Sequence, residues 1–536
     1  MSARAKKNIF SEADWAFFIY LTGITHVKLY VKLAAFVFYI VYVIYNKYAA
    51  GKLQGFSKFY FLMPLLGTIS AFVNGSFQTD NYWFSYVNSV LGWLLAGVGS
   101  YLLFITIINI PRSRLIASVK LFFLLNALVS FGDLAVMMVQ SGQLVPYWYW
   151  EPTEYFGGST GDHVKGIFNN ISITNAMVNA VGVVFFVYIN EIKWASLCVL
   201  ILLLCTSNVT LILLIALLAI MILLVRSGII RKNILIALLI IGLVYPFLSL
   251  NNIKYVARVY DVELEKKEEA KKEQFEAQQK QKINVSGRVI DYLNFNNKAN
   301  QALYQSGAYK YRLPLNDTIL LSYKDELKYI GAFGSVESRS NSNVHMEPDS
   351  LKKLITRWYG LPYERTPLSK DAGLVKIFTI KQTLYYLAQS KKHLIFGAGM
   401  GNFSSKQAIK STGLGLQGSY PQKYIYVNPD FLRYHLYSLL YVFSMPISEH
   451  SVINMPDTVY NQIGGEYGLL GITAFMLFYV GYMIRNFKKM HVGRYIAFMA
   501  MLFFGFEYWF EMLSLTIFVE LIIMLDIFGF EDGRTA

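Results

Sequence analysis

Long apolar runs constrain this chain more than any other feature of its sequence. Residues 209–225, 234–250 and 469–484 each form a run of about 16 to 20 residues, which as a helix matches the hydrocarbon thickness of a bilayer. Charged residues make up only 15% of the chain and hydrophobic residues 55%, whereas roughly a quarter of the residues of a soluble protein are charged. The sequence therefore predicts a polytopic membrane protein rather than several soluble domains.

Apolar segments recur along the chain and indicate about twelve transmembrane helices in an all-α fold. The segments cover residues 12–28, 31–46, 59–74, 83–109, 113–140, 171–189, 194–208, 209–226, 232–250, 467–484, 494–510 and 511–529. The boundaries at 208/209 and 510/511 divide longer apolar stretches by length alone.

Lysine and arginine residues fall in every second gap between these segments. The basic gaps contain Lys6 and Lys7; Lys47, Lys52 and Lys58; Arg112 and Arg114; Lys193; Arg226, Arg231 and Lys232; and Arg485, Lys488, Lys489 and Arg494. By the positive-inside rule these gaps are cytoplasmic, which also places both termini in the cytoplasm. The net charge of +15 is explained by this topology and by anionic headgroups, so it gives no reason to expect a nucleic-acid partner.

This topology leaves one long segment, residues 251–455, on the outer side of the membrane. The chain is therefore predicted to have three parts, with transmembrane helices 1–9 in 1–250, a large and mainly helical outer domain in 251–455, and helices 10–12 in 456–536. Residues 261–282 are rich in Glu, Lys and Gln with opposite charges four residues apart, which predicts a solvated helix extending from the ninth span.

The sequence lacks the patterns of metal sites and of common soluble enzymes. There is no phosphate loop with its lysine, no His-Glu-x-x-His and no Cys/His metal spacing. Cys198 and Cys205 lie seven residues apart in one apolar run, and as helical residues they are about 10 Å apart, too far for a disulfide. We therefore expect chemistry that needs neither a metal nor another cofactor.

Polar groups gather at the predicted outer face. Gly397, Gly399 and Gly401 alternate after an apolar stretch, and such glycines either let backbone N–H groups approach an anion closely or form a simple tight turn. His450 and Asp457 precede the tenth span, where ionisable groups are costly unless they face water or a site.

Three segments together resemble a known family. Gly-Ile-Phe-Asn-Asn at 166–170, Gly-x-Gly-x-Gly-Asn-Phe at 397–403, and Tyr followed by Glu-Tyr-Gly-Leu-Leu-Gly at 460–471 are similar, in order and topology, to motifs of O-antigen ligases and Wzy-type polysaccharide polymerases. The resemblance covers about 160–230 and 370–485. It implies a membrane-embedded, C-type glycosyltransferase fold in the bacterial inner membrane. Such enzymes move a glycan from undecaprenyl pyrophosphate to an acceptor hydroxyl at the periplasmic face.

The resemblance also suggests which residues carry the reaction. The family's His-Asn pair reads Asp457–Thr458 here, so Asp457 is the predicted general base, with His450 as the alternative; Asp457 after a proline also suits a helix N-cap. Cations are needed to hold the departing diphosphate. The predicted pyrophosphate- and substrate-binding residues are Arg288, Lys376, Arg357, Arg365, Arg433, Lys165, Asn169, Gly397, Gly399, Asn402, Tyr460 and Glu466.

Two enzymatic functions and one transport function fit these features. We favour a polymerase of lipid-linked repeat units, because the His-Asn pair of ligases is missing and the outer segment is large. A ligase transferring finished glycan to lipid A-core or to protein differs only in its acceptor. A glycan-lipid flippase would suit the number of spans, although transporters usually bind substrate near the membrane midplane. The resemblance implies a lipid-linked glycan donor, a glycan acceptor and a chain-length regulator as partners.

Overall fold

The computed structural model describes residues 9–48, 57–148, 164–168, 172–248, 375–412, 420–436 and 456–529. Every regular element in these ranges is helical, and no strand occurs among them. The predicted all-α class is therefore confirmed for this part of the chain. Of the predicted outer domain, only 375–412 and 420–436 are described, and the expected helix at 261–282 lies outside the described residues.

The helices follow the predicted apolar segments along the chain. They are α1 (Ile9–Glu12), α2 (Trp15–Thr25), α3 (Leu29–Tyr45), α4 (Phe59–Val73), α5 (Tyr82–Asn109), α6 (Arg112–Ser141), α7 (Ser172–Tyr188), α8 (Ile192–Leu204), α9 (Asn208–Leu224), α10 (Gly228–Leu248), α11 (Val375–Ala388), α12 (Lys391–Phe396), α13 (Lys406–Ser411), α14 (Val459–Asn486), α15 (Gly493–Phe503) and α16 (Leu513–Phe528). Each predicted apolar segment overlaps one of these helices.

Helix length separates two groups of apolar helices. In the described residues, α5, α6, α10 and α14 are long and apolar enough to cross a bilayer. The apolar helices α2, α3, α4, α7, α8, α9 and α15 have only 10–17 residues. The helices thus support a membrane protein, and the count of about twelve crossings stays a prediction.

Residues from the predicted cytoplasmic gaps meet at one end of the helices. Arg114 lies 3.2 Å from the carboxylate of Asp14, at the start of α2. Arg112 interacts electrostatically with Asp526 near the end of α16. Asp526 also accepts a 2.7 Å hydrogen bond from the amide of Gly493, which begins α15. The gaps before α2, α6 and α15 therefore lie at the same end, as the alternation of basic gaps predicts.

Helix α14 is broken in its middle, and this break positions the candidate site. Gly468 has φ 61° and ψ −153°, a conformation open essentially only to glycine. The helix begins at Val459, eight residues before the predicted start of the tenth span, because Thr458 caps it and the polar side chains of Asn461 and Gln462 are buried within the protein.

The predicted boundary between the last two spans at 510/511 falls inside a connector that the sequence did not predict. Helix α15 ends at Phe503 and α16 begins at Leu513, so residues 504–512 form a separate connector. Phe504, Trp509 and Phe510 of this connector are fully buried and pack against one another. This aromatic packing explains why an apolar stretch is not helical here. The connector also places Glu507 near Asp457, which precedes α14, and it carries Glu511.

Helix α16 is almost completely enclosed by the protein. Every residue from Leu513 to Ile527 is buried, and the helix packs against α5, α7 and α15. Because surrounding helices cover it, α16 can carry Glu520 at its centre, where the carboxyl group accepts a 2.6 Å hydrogen bond from Tyr60.

Candidate functional site

Lys376 and Asp457 form a buried ion pair where α11 meets the start of α14. The distance from Lys376 Nζ to Asp457 Oδ1 is 2.9 Å, and the two side chains are 7% and 4% exposed. The sequence proposed these residues separately, one to bind pyrophosphate and the other as a base. The fold brings them into contact across 81 residues of chain.

The ammonium group of Lys376 has no free proton to offer a substrate. Besides Asp457 Oδ1, it donates to the backbone carbonyl of Asp457 and, at 3.1 Å, to the carbonyl of Phe506 in the connector. A lysine has three donors, and all three are engaged inside the protein. Lys376 therefore holds Asp457 and the connector in place here, a different role from the predicted grip on pyrophosphate.

Asp457 is not the N-cap of α14. The cap is Thr458, whose hydroxyl accepts a 2.9 Å hydrogen bond from the amide of Asn461. The interpretation of Asp457 as the N-cap is therefore wrong, and its carboxylate does not cap the helix. Burial raises the pKa of Asp457, and the adjacent Lys376 ammonium acts in the opposite direction.

A chain of buried hydrogen bonds fixes α11 against α14 next to this pair. Asn461 donates to the Pro456 carbonyl at 2.9 Å and to Thr379 at 3.1 Å. It accepts from Thr383, whose hydroxyl lies 3.1 Å from His435 Nε2. Burial lowers the pKa of His435 to about 3, so its ring is neutral. The backbone on both sides of Asp457 is therefore rigidly positioned.

The connector adds two carboxyl groups that sequence reasoning missed. Glu507 is 3% exposed, and burial, with the nearby Asp457, raises its pKa to about 8. Glu511 accepts a 2.5 Å hydrogen bond from the amide of Lys406, and burial raises its pKa to about 7. The sequence did contain a signal for these residues. Two glutamates four residues apart in an apolar stretch indicate a candidate functional site, because acidic residues are rare in transmembrane segments. Glu507 thus adds a second buried carboxyl group near Lys376 and Asp457.

The glycine turn at 397–401 clamps the broken middle of α14. The amide of Ala398 donates to the Gly465 carbonyl at 2.7 Å, and that of Gly399 donates to the Glu466 carbonyl at 3.0 Å. A Cβ atom at Gly397 would lie 2.5 Å from the carbonyl carbon of Glu466. The turn therefore supplies donors to two carbonyls just before the break at Gly468.

The group that this turn approaches is a carboxyl group of the protein itself. Glu466 is 1% exposed, and its Oε1 accepts a 3.1 Å hydrogen bond from the amide of Phe403. The Gly401 amide and the Ser405 hydroxyl also interact with this carboxyl group. Asn402, fully buried, donates to the Ala398 carbonyl at 2.9 Å. Four residues that were predicted to bind substrate therefore form contacts within the glycine turn or between the turn and α14. They are Gly397, Gly399, Asn402 and Glu466.

Substituting Gly468 tests this clamp. We expect Gly468→Ala to lower thermal stability strongly, because its φ is positive and the new Cβ would lie 2.6 Å from the backbone of Ile395; backbone strain alone costs about 1–3 kcal/mol. Gly92→Ala in α5 is the matched control, since no atom outside its neighbours and the backbone of its own helix lies within 4 Å of its Cβ position. Thermal melts of both variants in detergent measure the difference. Equal melting temperatures would contradict the broken helix.

Two further predicted residues have other partners. The hydroxyl of Tyr460 donates to the Met501 carbonyl of α15 at 2.7 Å, and its side chain is 42% exposed. The guanidinium of Arg433 lies 5.4 Å from the centre of the Tyr434 ring and interacts electrostatically with Asp430. Arg433 is half-buried, so it remains a candidate cation for a bound diphosphate.

Lys165 begins a turn that is fixed between α6 and α7. The amides of Lys165 and Gly166 donate to Asp133 Oδ2 at 3.0 and 2.8 Å. Gly166 has a positive φ, and a Cβ there would lie 2.4 Å from Asn126 Oδ1. Asn126 in turn donates to Asn175 at 2.8 Å. The motif at 166–168 is therefore held by its own buried polar network.

The remaining predicted residues, Arg288, Arg357, Arg365, Asn169 and His450, lie outside the described residues. Within the described part of the chain, no three His, Cys, Asp or Glu side chains are arranged to hold a metal ion. Comparisons of this chain with protein-family models, with curated proteins and with solved structures find no match.

Proposed function

We propose that this chain is a membrane glycosyltransferase that polymerises oligosaccharide repeat units linked to undecaprenyl pyrophosphate. The observation that carries the proposal is the buried Lys376–Asp457 pair at the start of α14. A carboxylate held in a partly dry site is suited to take a proton from an acceptor hydroxyl. Two of the three segments that resemble polymerases also meet in α14, since the glycine turn binds Gly465 and Glu466.

In the proposed reaction the acceptor hydroxyl oxygen attacks the anomeric carbon of the donor sugar. The bond from that carbon to the diphosphate oxygen breaks, and the hydroxyl proton passes to the carboxylate of Asp457. One displacement inverts the anomeric configuration. The diphosphate leaves with an additional negative charge, so it requires cations, for which Arg433, Arg288, Arg357 and Arg365 are candidates. Lys376 acts by orienting Asp457, because its own protons are engaged.

We place this site on the periplasmic side of the bacterial inner membrane. The basic gaps before α6 and α15 lie at the opposite helix ends from the start of α14, and basic gaps face the cytoplasm. Both termini are then cytoplasmic, and residues 251–455 are periplasmic. The donor and the growing chain, both carried on lipid, would reach the site from the outer leaflet.

Deleting the gene in its native host tests the proposed function. We expect surface glycan to be reduced to single repeat units, because repeats are still made and exported but not joined; gel electrophoresis of the extracted glycan measures chain length. Long chains accumulating on the carrier lipid would identify a ligase instead. Repeat units retained in the cytoplasm would identify a flippase, and unchanged glycan would exclude all three.

A further inference from the structure

Three lysines from distant parts of the sequence gather near the connector. Lys406 and Lys410 lie four residues apart on α13, so their side chains are neighbours on one helix face. Lys32, near the start of α3, interacts electrostatically with both of them. Helices α3 and α13 both pack against α5, which explains how they approach each other. All three side chains are half-buried.

This cluster, Lys32, Lys406 and Lys410, is poorly neutralised within the described residues. None of the three has a hydrogen bond or ion pair from its ammonium group to a described carboxylate. Glu511 accepts the backbone amide of Lys406, and the carboxyl groups of Glu511 and Glu507 act electrostatically on the Lys406 ammonium group. Burial raises the pKa of Glu511 to about 7, and burial together with Lys406 and Lys410 lowers the pKa of Lys32 to about 7. Three ammonium groups are thus present with two carboxyl groups. The arrangement therefore has excess positive charge.

Like charges four residues apart on a helix destabilise it unless a ligand of opposite charge intervenes. In Lys410, burial and then the charge of Lys406 lower the pKa to about 8. Lysine binds phosphate oxygens as a compact point charge with three donors. Several ammonium groups on one half-buried face thus suit an anion with several oxygens and more than one charge.

We propose that Lys32, Lys406 and Lys410 form a binding site for a diphosphate. The site needs only the three lysines and does not depend on the proposed reaction. The diphosphate has two possible sources, namely a free diphosphate or the headgroup of a prenyl-diphosphate lipid. If the proposed function is right, the diphosphate of the lipid-linked donor is the occupant, and these lysines supply the cations that the engaged Lys376 does not.

Binding to the purified full-length protein in a neutral detergent tests the site. Titration calorimetry with sodium pyrophosphate should show binding to the wild type. Affinity should fall on the order of tenfold for each of Lys32→Ala, Lys406→Ala and Lys410→Ala, since a hydrogen bond to a charged group contributes about one such factor. Lys423→Ala is the matched control, because Lys423 is an exposed lysine of the neighbouring segment and should bind pyrophosphate like the wild type.

Melting temperatures separate binding from folding. Without ligand, Lys410→Ala should melt at or above the wild-type temperature, because it removes repulsion from Lys406. Saturating pyrophosphate should raise the melting temperature of the wild type far more than that of the variant. Absence of pyrophosphate binding by the wild type, or equal affinity in all lysine variants and Lys423→Ala, would overturn the proposal.

Farnesyl diphosphate distinguishes the two sources. Tighter binding of farnesyl diphosphate than of pyrophosphate, with the same loss in the lysine variants, identifies a lipid headgroup as the ligand. Equal affinities identify the free diphosphate, and the site stands in both cases. Lysine-dependent binding in a protein whose deletion leaves glycan unchanged would retain this site and exclude the polymerase.

Discussion

Lys376→Ala is expected to abolish glycan polymer and to destabilise the folded protein by about 3–5 kcal/mol, the usual cost of removing one partner of a buried ion pair. The substitution leaves the carboxylate of Asp457 buried without its counter-charge. It also removes the donor to the carbonyls of Asp457 and Phe506, so the connector loses its attachment to the start of α14. Thermal melts in detergent and gels of surface glycan measure the two effects.

Two variants separate the charge from the fold. The double variant Lys376→Met with Asp457→Asn leaves no buried charge, and replacing a buried pair by neutral groups of similar size is often close to neutral for stability. We expect this variant to melt near the wild-type temperature and still to make no polymer. Lys381→Ala, on the same helix but exposed, should change neither property. Wild-type stability in Lys376→Ala would show that the pair does not hold this region together.

The positions of the helices could be predicted from the sequence because the bilayer imposes length and polarity on each segment. Helices α5 and α6 lie within a few residues of the predicted segments 83–109 and 113–140. The boundary at 510/511 lies within the connector, but the connector itself was not predicted, for a physical reason. The connector 504–512 is held by aromatic packing and by the Lys376 ammonium, and both depend on tertiary contacts that hydropathy does not contain.

The members of the candidate site were easier to predict than their roles. Lys376 was selected for its charge, but its function here depends on the Phe506 carbonyl, which lies 130 residues away. The glycine turn was predicted either to approach an anion or to be a simple tight turn, and the sequence alone did not indicate that it would approach the carboxyl group of Glu466. The electrostatic interaction of Lys32 with Lys406 and Lys410 was not predictable, because no local pattern relates α3 to α13.

Asp457→Asn is expected to lower the polymerisation rate on the order of a hundredfold or more while the protein stays folded. The reason is that an amide cannot take the proton from the acceptor hydroxyl. The structure makes this substitution a sharper test than the sequence did. The amide oxygen of Asn can still accept a hydrogen bond from Lys376, and the cap of α14 belongs to Thr458. The rate is measured with purified protein and lipid-linked repeat units.

The matched control is Thr458→Ala, which removes the cap and leaves the carboxylate. It should lower stability by about 1 kcal/mol with little change in rate, whereas Asp457→Asn should do the reverse.

A pH profile adds a readout that a structural role would not produce. The wild-type rate should fall as the pH decreases through the pKa of Asp457, which burial raises, and the residual rate of Asp457→Asn should lack this decrease.

If Asp457→Asn retains the wild-type rate, the base lies elsewhere. Loss of rate in Glu507→Gln would then assign the role to the second carboxyl group beside Lys376, and loss in His450→Ala would assign it to the histidine seven residues before Asp457.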